Sequence, residues 1–300
     1  MNVVSNVEFT QSEHGTCLMI RWYGVSMSIT GDPLRPIQTE ISSTCGLLNL
    51  PRTVISRYLT DSPSTALWSR INTLTYEYFS ALDKEAKTVN SSTNFLILKT
   101  MVDPELHANY IGKGFCDDIE LIALQHPDAH KSTNDFKPVE CLFNYVFKKN
   151  SLIIDLTEFD SDYLETAQAI ARLFPPQHRP IVRVIKYRDW PDCKSISVAD
   201  LGNLIDMMIR LIEENRIEAV WVHCQQGVGR TGTLISAYLL RKLIGQGKIT
   251  ADNFDEKLTD LVFSLRQERS PMFIYTSDQF DTVYQYGLRL LGIGKKRKIF

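Results

Sequence analysis

The sequence has no Cys-x-x-Cys pair and no dense cysteine framework; its cysteines, at positions 17, 45, 116, 141, 193 and 224, stand singly. That spacing gives neither a zinc signature nor a disulfide scaffold, and it makes a reducing compartment the default. Nothing approaches the run of about 20 apolar residues that a membrane span needs. The stretch from Met1 to Gly15 lacks the basic and apolar regions of a secretory signal. A soluble protein of the cytoplasm or another reducing compartment is expected, with export into a host cell by a signal-free route left open. The formal net charge of -2 leaves no basic excess to neutralise a nucleic-acid backbone, which argues against a general nucleic-acid binder. Internal repeats and low-complexity blocks are also missing.

What remains is an ordinary globular composition, 44% apolar and 23% charged, in a chain long enough to bury charged groups and a strained loop. From about Val54 to Lys87 the pattern is helical, with a turn and N-cap at Asp61-Ser62-Pro63-Ser64. Leu67, Ile71, Leu74, Tyr78 and Leu82 recur at helical spacing. The polar run Thr88 to Asn94 marks a boundary, so residues 1–90 read as an accessory, helix-containing region and 91–300 as a second domain. In the second domain strand-like and helix-like segments alternate. Strands are expected at Ser151–Leu156, Ile181–Ile185 and Glu218–His223, and helices at Asp162–Phe174, Val198–Asn215, Thr231–Ile244, Asp252–Gln267 and Asp278–Leu291. This order predicts an α/β domain with a central sheet covered by helices.

The stretch that carries chemistry is Val222-His223-Cys224-Gln225-Gln226-Gly227-Val228-Gly229-Arg230-Thr231-Gly232. It lies between a buried strand and an apolar helix, where backbone N–H groups converge on an anion at a helix N-terminus. Gly227 and Gly229 permit the backbone angles of such a loop and keep side chains away from a phosphate. Arg230 offers a planar fork for two phosphate oxygens. A thiol becomes nucleophilic when ionised, and a helix N-terminus with a nearby cation lowers its pKa from about 8.5. Cys224 has both, and the Thr231 hydroxyl is placed to donate to its sulfur.

Three plainer readings compete. Gly227-Val228-Gly229-Arg230-Thr231-Gly232 is formally G-x-G-x-x-G, but a dinucleotide fold needs a second strand ending in an acidic residue about 20 residues on. Here that stretch opens another helix instead. Cys224 as an inert buried thiol is the usual fate of a lone cysteine. His223 and Cys224 as joint metal ligands fail because adjacent strand residues face opposite ways.

The pattern H-C-x-x-G-x-G-R-T-G resembles the phosphate-binding loop of the protein tyrosine phosphatase family. Tyr187-Arg188-Asp189-Trp190-Pro191-Asp192, whose last residue stands 32 positions before Cys224, resembles that family's mobile W-P-D loop. The resemblance makes Trp190 an apolar anchor and Asp192 the general acid. Asn109-Tyr110-Ile111 and Leu121 to Pro127 resemble the family's Y-I-N-A-S and Y-I-A-T-Q-G-P segments. Asp135-Phe136 and Lys149 to Thr157 match the helix and strand that follow. The likeness covers about Asn94 to Leu291 and implies a central mixed sheet flanked by helices.

It implies two-step hydrolysis of phosphotyrosine in a protein partner, with no cofactor and no metal. Loop amides from Gln225, Gln226, Gly227, Val228, Gly229 and Arg230 would bind the phosphate. Departures are specific. In the segment resembling the family's glutamine loop, Pro271 replaces the usual glycine and Tyr275 the first glutamine, while Gln279 keeps the second and is expected to orient the hydrolytic water. Phe95 is the nearest equivalent of the ring-stacking tyrosine. The segment between Thr157 and Ile181 is too short for the family's usual hairpin, a layout closer to bacterial effector phosphatases. The alternatives are a dual-specificity or inositol-phosphate phosphatase and an inactive phosphotyrosine-binding module.

Overall fold

Strands whose residues are apolar on both faces belong at the centre of a sheet covered on both sides. Ala219–Cys224 and Ser151–Asp155 are of this kind, and every residue in both is buried. The structure is a computed structural model that describes residues 6–12, 15–22, 25–31, 63–89, 100–103, 106–116, 118–127, 137–158, 164, 167 and 180–293. The chain divides into two compact units, residues 1–95 and 96–300.

The first unit holds strands β1 (Asn6–Ser12), β2 (Gly15–Trp22) and β3 (Val25–Gly31), joined as an antiparallel sheet in that order, and helix α1 (Pro63–Val89). The sheet was not expected. Val7 and Phe9 of β1 and Val25, Met27 and Ile29 of β3 do alternate with polar residues, but the run Cys17-Leu18-Met19-Ile20 of β2 does not, so for the middle strand periodicity alone does not separate strand from buried helix. Helix α1 starts at a proline, whose missing N–H costs nothing at a first helical position. Ile71 is buried on its inner face, and Leu67, Leu74 and Tyr78 are half-buried. The side chain of Leu82 lies outside the described residues.

The second unit holds β4 (Met101–Asp103), β5 (Ala108–Tyr110), β6 (Glu120–Gln125), α2 (Lys137–Val146), β7 (Ser151–Asp155) and β8 (Val182–Lys186). It continues with α3 (Val198–Asn215), β9 (Ala219–Cys224), α4 (Gly229–Gly245), α5 (Phe254–Glu268) and α6 (Ser277–Leu290). The sheet order is β4-β5-β6-β9-β7-β8. The pairs β4–β5 and β5–β6 are antiparallel and the rest parallel, so the sheet is mixed. β9 stands between β6 and β7, and the chain leaves its end at Cys224.

Alternation divides the sheet into two faces. Ile122, Leu124, Ile153, Ala219 and Trp221 join a core with Val139, Leu142 and Val146 of α2. The opposite face, with Val220, Val222 and Cys224, is the one over which α4 starts. Helix α4 is buried along nearly its whole length, because α3, α5 and α6 pack around it. A wholly buried helix fixes its own N-terminus, and with it the loop that precedes it. Of the helix expected at Asp162–Phe174, Leu164 and Ala167 are described, and both are buried.

Candidate active site

Every carbonyl of the loop between β9 and α4 is tied outward. Gln225 O accepts from His126 N at 3.3 Å, and Val228 O accepts from Ile274 N at 3.2 Å and Gly232 N at 3.0 Å. The buried Arg269 guanidinium donates to Gly227 O at 3.2 Å and to Gln226 O at 3.4 Å. Peptide planes whose carbonyls point out turn their N–H groups in, toward the space above Cys224. Val228 caps α4 without any side-chain bond, so the first-turn N–H groups are left for an anion. Gly227 has φ of 68°, and a β-carbon there would lie 2.1 Å from Leu124 O, so only glycine fits. Gly229 has no such angle; its bareness gives clearance, since a β-carbon would sit 3.1 Å from Gln279 Oε1.

Arg230 lies in the first turn of α4 and is 2% exposed. Its Nη1 donates to Trp190 O and its Nη2 to Asp192 Oδ1, each at 2.8 Å. Its Nε is buried and makes no hydrogen bond among the described residues. An unpartnered buried donor costs about 1–3 kcal/mol, and this one is a charged group beside an anion-shaped loop. The Thr231 hydroxyl is likewise buried with no hydrogen bond among the described residues, so it does not donate to Cys224 here.

The segment carrying Asp192 is pinned at several points. Trp190 is fully buried and closes a turn by donating Nε1–H to Lys194 O at 2.8 Å. Cys193 takes a positive φ of 56° to make that turn. Asp192 itself projects into solvent on one side and meets Arg230 on the other. Its backbone N–H donates to Glu158 Oε1 at 2.8 Å, and the same carboxylate oxygen lies 3.9 Å from Arg230 Nη1. Sequence reasoning did not assign Glu158, because the shortened segment after β7 removed the spacing that would have marked it.

Gln279 is 1% exposed and sits at the third position of α6. Its Oε1 accepts from Tyr275 N at 3.0 Å and Thr276 N at 3.4 Å, completing a capping box, and its Nε2 donates to Lys194 O at 3.1 Å. The amide therefore ties the start of α6 to the Asp192 segment. Ile274 holds a positive φ of 61°, a strained angle for a β-branched residue. The buried Arg266 holds the carbonyls of Phe273 and Ile274 at 3.1 and 3.4 Å.

On the other face of β9, His223 is fully buried, its Nδ1 3.6 Å from Asp155 Oδ1. Burial, opposed by Asp155 and assisted by His126 and Arg230, pushes its pKa down to about 3, so the ring is neutral. The structure thus brings together Cys224, the Gln225–Gly229 loop, Arg230, Thr231, Trp190, Asp192 and Gln279. Phe95, Asp135, Phe136 and the basic run at 295–298 lie outside the described residues. Among the described residues no helix is long and apolar enough to cross a membrane.

Residues 143–289 match the family model described as protein-tyrosine phosphatase. Over 113 residues the chain is 34% identical to receptor-type tyrosine-protein phosphatase H of Homo sapiens, covering 37% of this chain and 9% of that protein. It is 27% identical over 130 residues to tyrosine-protein phosphatase 3 of Dictyostelium discoideum, covering 39% and 13%. The chain therefore spans only a small part of the length of these relatives. A protein tyrosine phosphatase of Trypanosoma brucei of known structure aligns at 19% identity and a TM-score of 0.46, covering 63% of this chain and 74% of that one.

Proposed function

We propose, for a chain that belongs to the protein-tyrosine phosphatase family, that it hydrolyses phosphotyrosine in proteins through a cysteinyl-phosphate on Cys224. The observation that carries this reading is Arg230, which joins the loop above Cys224 to the carboxylate of Asp192 at 2.8 Å.

In the first step the Cys224 thiolate attacks phosphorus in line, and the bond from phosphorus to the tyrosyl oxygen breaks. Asp192 gives its proton to the leaving oxygen. The equatorial oxygens meet the inward loop N–H groups and the guanidinium of Arg230, whose buried Nε has no other bond to give up. Asp192 exchanges its contact with Arg230 for one with the leaving group. In the second step water attacks phosphorus, the bond from phosphorus to sulfur breaks, and the Asp192 carboxylate takes the water proton. Positive charge comes from Arg230 and from Arg269 behind the loop carbonyls.

Gln279 was expected to orient the hydrolytic water. Its amide bonds instead support a positioning role, holding the Asp192 segment against α6 through Lys194 O. Phosphotyrosine and phosphoserine peptides offered to the full chain in the presence of chelator test the reading. Release of phosphate from the phosphotyrosine peptide is expected. Preference for phosphoserine, or no release of phosphate from either peptide, would reject it.

A further inference from the structure

His223 and Cys224 face opposite ways and cannot share a metal ion. His223 has other company. We propose that His126, Asp155 and His223 form a site for one transition-metal dication of the zinc class, on the sheet face opposite the nucleophile. Asp155 and His223 lie near the C-terminal ends of the parallel strands β7 and β9, and His126 directly follows β6 on the other side of β9. Asp155 pairs directly with His223 across β7 and β9. Leu124 pairs with His223 across β6 and β9, and His126 follows two residues later, so it shares that face. This is the face of Trp221 and Ile153, covered by α2, whereas Cys224 is on the face of α4.

The donor set and its spacing suit such an ion. One ligand atom from each residue lies within 4.8 Å of the others. Two ligands each about 2.1 Å from a four-coordinate zinc ion are about 3.4 Å apart, and His223 Nδ1 and Asp155 Oδ1 are separated by 3.6 Å. The rings of His126 and His223 meet edge to face at 5.0 Å between centroids. Two imidazoles and a carboxylate are the ligands that a borderline dication takes. Asp155 Oδ1 already accepts from Thr157 N at 2.9 Å and Thr157 Oγ1 at 2.6 Å, the outer bonds that orient a ligating carboxylate. All three are more than nine-tenths buried, with His126 the most accessible at 6%. An ion there would clamp three strands beneath the catalytic loop.

The test uses the full chain as Cys224→Ser, which removes the thiolate as a competing ligand. Cobalt(II) is titrated by visible absorption and equilibrium dialysis. One equivalent is expected, with the bands of a low-coordinate nitrogen and oxygen site, no sulfur charge-transfer band, and a raised Tm. His126→Gln in the same background should weaken binding by at least about 100-fold. Independently of that variant, added zinc should shift the ring resonances of two of the six histidines. Failure of the protein to hold cobalt, binding undiminished in a folded His126→Gln, a sulfur charge-transfer band, or six unmoved histidines would overturn the site.

Discussion

Arg230 has two partners to serve in turn. Its fork is engaged by Trp190 O and Asp192 in this structure, and the proposed chemistry needs the same guanidinium for phosphate. If Asp192 then serves the leaving oxygen, its value depends on how much that oxygen needs a proton. Asp192→Asn should lower kcat by about 10²–10⁴-fold with phosphotyrosine, and by much less with a dinitrophenyl phosphate, whose leaving group needs none. Equal losses with both substrates, measured as steady-state kcat, would place Asp192 outside proton transfer. Cys224, Arg230 and Asp192 were all legible as residues because their motifs are short and local. Glu158 was not, since nothing near it in sequence announces a partner 34 residues away.

Elements decide whether those residues meet. The Asp192 segment is held by Arg230, by Glu158 through the Asp192 N–H, and by Gln279 through Lys194 O. Glu158→Ala removes one hold without touching the nucleophile. We expect kcat to fall about tenfold, or about 1.4 kcal/mol, with the dinitrophenyl substrate nearly unaffected. An unchanged kcat on phosphotyrosine would deny Glu158 that role.

A second element carries a pH dependence. Glu268, at the end of α5, accepts from Gly112 N, and burial pushes its pKa from 4.5 up to about 7, partly countered by that bond. Between these values the folded chain holds more protons than the unfolded one, so stability falls as pH rises through the window, by on the order of 3 kcal/mol. Glu268→Gln should therefore raise Tm near pH 8 and leave it unchanged near pH 4. The same gain at both values would reject burial of the charge as the cause.

At the scale of the molecule, the helices α3, α4, α5 and α6 and the strands β7, β8 and β9 were readable to within two residues at every end, since long apolar periods and clear stops mark them. The sheet β1–β3 was missed although Val7 and Phe9 of β1 and Val25, Met27 and Ile29 of β3 alternate with polar residues, because each run is short and the middle strand β2 breaks the period with Cys17-Leu18-Met19-Ile20. The meeting of His126, Asp155 and His223 was beyond reach, since it depends on strand order and register rather than on spacing. For the domain boundary we propose that residues 91–300 act as the catalytic part. That fragment, if folded by circular dichroism, should keep the kcat/KM of the full chain on a small aryl phosphate; a large loss would assign residues 1–90 a part in catalysis.

The central claim is that phosphorus passes through sulfur at Cys224. Rapid mixing of the full chain with a phosphotyrosine peptide, acid quench and mass spectrometry of the digest measures it directly. The account predicts a phosphoryl group on the Cys224 peptide during turnover, and neither adduct nor turnover in folded Cys224→Ser. Turnover surviving in that variant, or a phosphoryl group on another residue, would contradict it.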